Sequence, residues 1–285
     1  MDSLHFDWFR FVKLRIFMQT WHWQTWDGRP YLTCSLLEAW SHGFFTQHFW
    51  PQTPSNLVSA LQSEAQVYRV KQVHGNVILA PSEIELGCTS ANNTSASELD
   101  LPPADGLLTE QAEQAVWVCS ADCTPMLIAD AATGQVAAVH AGWRGTAAKI
   151  VPQAIARLQA QGSQLHNLRV AMGPAIAGEV YQVSIDVAIA LGATIIPAAA
   201  SDANAVIEQL YELPQPPLLA DPEPDRVRVD VRRINALQLE QLGLSPKQVA
   251  IAPHCTYQQP EHFFSYRRDG LKKVQWSGIV SRAVV

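Results

Sequence analysis

The sequence predicts a mixed α/β (α+β) fold, a single domain in which mixed β-sheets are flanked by helices. Three apolar runs, "AVWVCSADC", "PMLIAD" and "VAAVHAG", have the length and composition of buried strands. Ile150, Val151, Ile155 and Leu158 follow them and share one helical face. Strand and helix patterns alternate irregularly along the chain, which favours mixed sheets over a regular doubly wound fold. There is no GxGxxG and no Walker sequence, so nothing indicates a dinucleotide or P-loop site.

Turn residues and short apolar runs predict the elements of the N-terminal half. Asp27-Gly28 is typical of a two-residue hairpin turn, and a Ser/Asn/Thr-rich stretch is typical of a surface loop. In chain order we expect a hairpin over 21–31, a helix over 54–65, strands over 68–73 and 77–80, and a loop over 81–103.

Apolar periodicity predicts the elements of the C-terminal half. Pro152 fits the helix after the "VAAVHAG" strand only if it lies in the first helical turn, and Gly243 is suited to end another helix. In chain order we expect a strand in "LRVAMGPAI", a helix over 184–193, a Pro-rich insertion with one short helix over 196–225, a strand in "RVRVDV", a helix over 233–242, a strand in "QVAIAP" and a strand over 274–279.

The composition limits the functional classes. The 285 residues carry a formal net charge of −6 and no basic run, which argues against nucleic acid or an anionic membrane as a partner. No stretch of about 18 uncharged apolar residues is present. The five cysteines are an odd number and thinly spread, which argues against a disulfide scaffold. We therefore expect a cytoplasmic protein.

The first residues differ in character from the rest. Residues 1–17 are aromatic and mixed in charge, and Asp7, Arg10 and Lys13 interrupt any signal-peptide core. We expect an N-terminal extension over 1–17, non-native or disordered, and one catalytic domain over 18–285.

His74, Cys123 and His140 are the candidate centre of chemistry. Each follows or ends a predicted strand, and strand ends are where α/β folds build their sites. Two imidazoles and one thiolate suit a catalytic zinc ion with an open fourth position. A Cys–His nucleophile pair is the competing interpretation, and the spacing does not separate the two.

The stretch "HAGWRGTAAK" suggests an anion pocket beside these residues. Gly142 and Gly145 would allow a tight turn into a helix, and Arg144 offers the planar donor fork that suits phosphate. Asp105 in "ADG" is either a turn residue or part of the site, and Arg267 is a further candidate to bind an anion.

Six motifs together resemble the YfiH, laccase-like family: "KQVHGN", "ADGLLT", "SADCTPMLIAD", "VAAVHAGWRGT", "MGPAI" and "FFSYRRDG". The resemblance covers residues 43–276. It implies phosphorolysis of the purine nucleosides adenosine, inosine, guanosine and methylthioadenosine, with adenosine deamination, on a zinc ion. The catalytic and zinc-binding residues that it implies are His74, Cys123 and His140. The candidate phosphate- and substrate-binding residues are Gln72, Asp105, Arg144, Gly145, Thr146 and Arg267.

Two alternatives remain beside this interpretation. Two histidines and one cysteine also suit copper, as in a laccase-like polyphenol oxidase, but the nine histidines include no His-x-His pair. The second alternative is a non-enzymatic regulatory protein with a cysteine-hydrolase-like scaffold. The expected partners are purine nucleosides and phosphate, and the expected state is a monomer or homodimer. The stretch "HGFFTQHFWPQTP" lacks the arginine and the following glycine-rich run usual in the family, so the resemblance does not carry over a substrate contact from that segment.

Overall fold

The computed structural model describes residues 20–88, 101–196 and 202–284. The predicted extension over 1–17 and most of the predicted loop over 81–103 lie outside these ranges. The strands are β1 (Trp21–Trp26), β2 (Arg29–Cys34), β3 (His42–Phe45), β4 (Gln66–Tyr68), β5 (Ile78–Leu79), β6 (Gly106–Leu108), β7 (Gln114–Ser120), β8 (Thr124–Asp130), β9 (Val136–Ala141), β10 (Leu168–Met172), β11 (Gln182–Ser184), β12 (Leu218–Ala220), β13 (Arg226–Val229), β14 (Val249–Ile251) and β15 (Gln275–Val280). The helices are α1 (Pro54–Leu57), α2 (Pro81–Cys88), α3 (Trp143–Ala147), α4 (Ile150–Ala160), α5 (Ile185–Gly192), α6 (Ala203–Glu212), α7 (Val231–Gln241) and α8 (Tyr266–Asp269).

Two six-stranded mixed sheets form the frame. The first has the order β1-β2-β3-β15-β7-β4, and the second has the order β14-β10-β8-β9-β6-β5. A buried cluster that includes Phe44, Val118 and Leu127 joins the inner faces of the two sheets. Helices α4 and α7 cover the outer face of the second sheet, where Ile155 and Leu239 are fully buried. The predicted mixed α+β class is confirmed.

A third, smaller sheet lies beside this frame. It has the order β11-β13-β12 and shares a buried cluster with α5, α6 and the start of α7. Within the range 196–225 the structure therefore places α6 and β12, where the sequence predicted one short helix in a Pro-rich insertion. The side chain of Asp202 caps α6 by accepting the N–H groups of Asn204 and Ala205.

Other elements agree with the sequence or correct it. The β1–β2 hairpin turns at Asp27-Gly28 as expected, and Pro152 lies in the first turn of α4. The expected helix over 54–65 is shorter, since α1 is followed only by a 3-10 turn. The expected strand over 68–73 was wrong in its extent, because β4 ends at Tyr68.

Helix α2 stands at the start of the predicted loop, so that prediction was wrong over 81–88. Pro81 opens the helix, and the Glu83 carboxylate accepts the Ala80 N–H and an N–H of Arg157. A proline at the first helical position and an acidic residue in the first turn are a start signal that the polar composition obscured.

Candidate metal centre and substrate pocket

Strand register in the second sheet brings three polar residues together at one edge. Strand β9 lies between β8 and β6 and is antiparallel to both. Thr124 pairs with Ala141 and Gly106 pairs with Val139, so one further step places Cys123 beside Gly142 and Asp105 beside His140. The prediction that Cys123 ends a strand was therefore wrong, because β7 ends at Ser120 and Cys123 directly precedes β8. Asp105 likewise precedes β6, and antiparallel pairing brings both starts to the edge where β9 ends.

The carboxylate of Asp105 fixes the loop that carries His74. It accepts the backbone N–H groups of Val73 at 3.2 Å, His74 at 2.9 Å and Gly75 at 2.6 Å. His74 has a left-handed backbone, with φ of 61°, which a non-glycine residue adopts only when its surroundings hold it there. Asp105 is 0 % exposed. The three hydrogen bonds therefore supply the hold on His74.

The same carboxylate orients His140. Its Oδ1 lies 2.9 Å from His140 Nδ1. A carboxylate only accepts hydrogen bonds, so Nδ1 carries a proton and Nε2 is the nitrogen left to bind a metal ion. Asp105 thus positions two candidate ligands at once, and the structure gives it this role where the sequence left a turn residue or a site residue open.

The three candidate ligands fit one metal ion. The ligand atoms of His74, Cys123 and His140 all lie within 4.8 Å of one another, so small side-chain shifts would let one ion reach all three with bonds of about 2.0–2.3 Å. His74 is exposed, Cys123 is partly exposed and His140 is buried, so the open side of the group faces solvent. The donor set of two nitrogens and one sulfur suits zinc or copper.

Gly142 allows the centre to close. A Cβ at this position would lie 2.7 Å from Cys123 Sγ and 3.4 Å from His74 Cδ2. Gly145 is close-packed as well, because its Cβ would lie 2.9 Å from the Gly75 carbonyl oxygen. Both glycines permit close approach, and neither has the positive φ that a special turn would need. Gly142 caps helix α3, which begins at Trp143.

The electrostatics of the centre favour a thiolate. Burial disfavours ionisation of Cys123, but the charge and hydrogen bonds of His140 and His74 prevail and lower its pKa to about 6. Burial likewise opposes the charged form of His140, but Cys123 and Asp105 raise its pKa to about 9. A thiolate is the form of cysteine that binds a metal ion or attacks a substrate. His140 must release its Nε2 proton before that nitrogen can bind a metal.

A small pocket opens directly beside Cys123. Its floor contains Cys123, Ala141 and Gly142, and its wall has the residues Asp122, Thr124, Trp143, Ile176, Tyr181 and Val231. Two aromatic rings and two aliphatic side chains therefore face a thiol next to the candidate metal ligands. Apolar walls with a few polar groups suit part of a small molecule, and the enclosed volume of about 30 Å³ is smaller than a nucleoside.

An arginine side chain stacks on each of the two aromatic rings that line the pocket. The Arg144 guanidinium lies over the Trp143 ring at 4.4 Å, and the Arg267 guanidinium lies over the Tyr181 ring at 4.7 Å. Arg144 is exposed, and the N–H groups of its guanidinium donate no hydrogen bond to any residue that the structure describes. Stacking uses the face of a guanidinium and leaves the in-plane donors free.

Asp122 links Arg267 to the Cys123 segment. Its backbone has φ of 87°, and its carboxylate accepts the Thr256 hydroxyl and the Arg267 backbone N–H, each at 2.7 Å. The Arg267 guanidinium also donates to the Gln182 carbonyl at 2.8 Å. The "SYRRDG" segment therefore braces the turn that carries Cys123.

The other three candidate site residues, Gln72, Gly145 and Thr146, make hydrogen bonds or packing contacts inside the protein. The Gln72 side chain pairs with both backbone groups of Cys119, at 2.7 and 2.8 Å. Thr146 is fully buried, and its hydroxyl accepts an N–H of Asn235. Gly145 packs as described above. The structure gives all three a packing role, and their contact with substrate stays a prediction.

The sequence did not identify Tyr181 or Trp143 as residues that line the pocket beside Cys123. Tyr181 lies in "EVYQVS", between a 3-10 turn and β11, and no motif spacing marks it. Only its placement against the Cys123 pocket identifies it.

Comparison with known proteins now identifies the family. Residues 52–281 match the family model described as multi-copper polyphenol oxidoreductase laccase. The chain belongs to this family. It is 51% identical over 265 residues to a protein of Synechocystis sp. named purine nucleoside phosphorylase slr1573, covering 92% of this chain and 97% of that relative. It is 28% identical over 174 residues to a prokaryotic protein named adenosine deaminase RL5, covering 61% and 60% of the two chains.

Solved structures support the fold of this family member. YlmD from Geobacillus stearothermophilus matches with a TM-score of 0.72 at 24% identity, covering 91% of this chain and 98% of that one. The protein YfiH from Bacillus licheniformis matches with a TM-score of 0.70 at 21% identity, covering 91% and 99%. Among the described residues, no helix has the length and apolar character needed to cross a membrane.

Replacing Asp105 with asparagine tests its hold on two ligands. The amide side chain of the variant would offer one carbonyl oxygen and an N–H₂ group where four N–H donors now converge, so some donors lose their acceptor. We expect a metal affinity lower by roughly 10–100-fold and an unfolding free energy lower by about 1–3 kcal/mol. Metal titration and chemical denaturation measure these two quantities. Asp186→Asn, an exposed change on α5, is the control. Unchanged metal affinity in Asp105→Asn would contradict the positioning role.

Replacing Gly142 with alanine tests the close packing of the centre. The added methyl group would overlap Cys123 Sγ, so we expect metal content to fall well below that of the wild type while the far-ultraviolet circular dichroism is retained. Gly75→Ala in the same centre is the matched control, because its Cβ would meet nothing closer than 3.5 Å. Elemental analysis of both proteins checks the expectation. Equal metal content in the two variants would refute it.

Proposed function

We propose that this chain is a zinc-dependent purine nucleoside phosphorylase that also deaminates adenosine. The observation that carries the proposal is the juxtaposition of a two-histidine, one-cysteine centre with an aromatic pocket and an arginine whose donors are free. The name of the relative that is 51% identical over nearly its whole length supports the first activity. The name of the 28% identical relative supports the second. Adenosine, inosine, guanosine and methylthioadenosine are the proposed nucleosides.

In the proposed reaction, phosphate replaces the purine base on the ribose. A phosphate oxygen forms a bond to C1′ as the bond from C1′ to the purine nitrogen breaks, and the base leaves with a proton. Arg144 would hold the phosphate through its in-plane donors, with its orientation set by Trp143. Arg267, over Tyr181, would supply a second cation. Trp143, Ile176 and the other apolar walls would exclude water from the reacting atoms.

The chain's own residues define how a zinc ion would be held. His74, Cys123 and His140 would bind it, and Asp105 would keep the two imidazoles in place. Zinc supplies Lewis-acid chemistry when bound in a three-ligand site. Hydrolytic deamination has the clearest need for that chemistry, because water must act as the nucleophile at neutral pH.

A copper-dependent oxidation of phenols is the second candidate. The family description and the donor set favour it. Against it, the described residues contain one group of three or more metal-binding side chains, and that group has three members. Multi-copper chemistry requires several such groups.

We also propose that the protein acts in the cytoplasm, where its cysteines stay reduced. Among the residues that the structure describes, Cys34, Cys119, Cys123 and Cys255 form no disulfide, and Cys34 and Cys255 are buried. A thiolate ligand needs a reduced cysteine, which the cytoplasm maintains. Purine nucleosides and phosphate are the proposed partners.

Incubation of the purified protein with a nucleoside panel tests the function. With phosphate we expect ribose 1-phosphate and the free base, and adenosine alone should yield inosine. Liquid chromatography separates these products. Cys123→Ala should lose both activities, whereas Cys119→Ala, from the same segment, should retain them. Absence of both products with the metal-loaded wild type, together with turnover of a phenol, would replace this function by the oxidase.

Arg144→Ala separates the two activities. Loss of a charge-assisted contact to phosphate removes about 1.5–3 kcal/mol, so phosphorolysis should fall roughly tenfold to hundredfold. Adenosine deamination uses no phosphate and should change much less, which makes it the internal control. Arg144→Lys should recover part of the loss, because a point charge lacks the planar fork. Both rates are measured across a phosphate titration. Equal loss of both, at unchanged phosphate affinity, would assign Arg144 to folding of the α3 turn.

A further inference from the structure

The hydroxyl group of Tyr181 has no hydrogen-bond partner among the residues that the structure describes. The side chain lines the pocket beside Cys123 and is only partly exposed. A partly buried phenol usually finds a partner for its O–H group. The free hydroxyl is therefore available to a bound ligand.

Neighbouring groups hold the Tyr181 ring in place. Its backbone carbonyl accepts the Val229 N–H at 3.1 Å, which ties it to β13. The Arg267 guanidinium lies over the ring at 4.7 Å and is itself held by the Gln182 carbonyl. Because both its backbone and its ring are held, the hydroxyl would reach a ligand with little loss of conformational freedom.

The phenol lies close enough to Cys123 and to both arginines to feel their charges. The charges of Cys123, Arg267, Asp122 and Arg144 all act on its ionisation. Burial, followed by the negative charge of Cys123, raises the pKa of Tyr181 to about 12. The side chain therefore remains an uncharged O–H donor over the whole physiological pH range.

We propose that Tyr181 is a substrate-binding residue that donates its O–H group to an oxygen of the phosphate held by Arg144 and Arg267. This inference rests on the proposed phosphorylase function. A tetrahedral dianion offers several acceptor oxygens, so two guanidinium groups and a neutral hydroxyl can each bind a different one. A charged acceptor strengthens such a hydrogen bond.

Tyr181→Phe tests this contact, because it removes the hydroxyl and keeps the ring on which Arg267 stacks. We expect the KM for inorganic phosphate in inosine phosphorolysis to rise about tenfold. The KM for inosine and the rate of adenosine deamination should change much less than the KM for phosphate. The pH profile between 6 and 9 should keep its shape, because the phenol does not titrate there. Tyr211→Phe, an exposed tyrosine on α6, is the matched control.

The possible results distinguish failure of the Tyr181 contact from failure of the proposed phosphorylase function. If the wild type forms no ribose 1-phosphate, the proposed phosphorylase function fails, and the phosphate contact falls with it. If the wild type is active and Tyr181→Phe leaves the phosphate KM unchanged, the inference alone is overturned. A rise in the KM for inosine with no change for phosphate also overturns it, and would place the hydroxyl against the nucleoside.

Discussion

The buried carboxylate of Asp105 is the constraint on which the geometry of the centre depends. It receives three consecutive backbone N–H groups from the loop over 73–75 and the Nδ1–H group of His140. Burial alone would raise the pKa of Asp105, but these hydrogen bonds lower it, so it stays ionised. The left-handed backbone of His74 persists because the carboxylate holds it. One acidic side chain thereby sets two of the three candidate ligands.

The third ligand depends on a different brace. Cys123 follows Asp122, whose strained backbone is held through Thr256 and the Arg267 backbone N–H. The same Arg267 covers the ring of Tyr181 in the pocket wall. The segment that supports the thiol therefore also shapes the substrate side. In the proposed function, the metal ligand Cys123 and the phosphate-binding residue Arg267 therefore share one supporting segment.

The sequence identified the candidate ligands of the centre, but it did not show which contacts hold them in place. His74, Cys123 and His140 could be found because their side chains bind metals and adjoin strong strand patterns. Asp105 could be named, but its role depends on the β6–β9 register, which joins segments more than thirty residues apart. Tyr181 carried no signal at all, since only tertiary packing brings it to Cys123. Gln72 and Thr146 were candidate site residues, and their hydrogen bonds to Cys119 and Asn235 are contacts that the sequence did not indicate.

The proposed function requires that His74, Cys123 and His140 hold one zinc ion per chain. Crystals of the purified protein, measured on both sides of the zinc absorption edge, test this most directly. The account predicts a single anomalous peak per chain, about 2.0–2.3 Å from one atom of each ligand, that appears at the zinc edge. A peak at the copper edge alone, or Cys123 and His140 in direct contact with no metal between them, would contradict it.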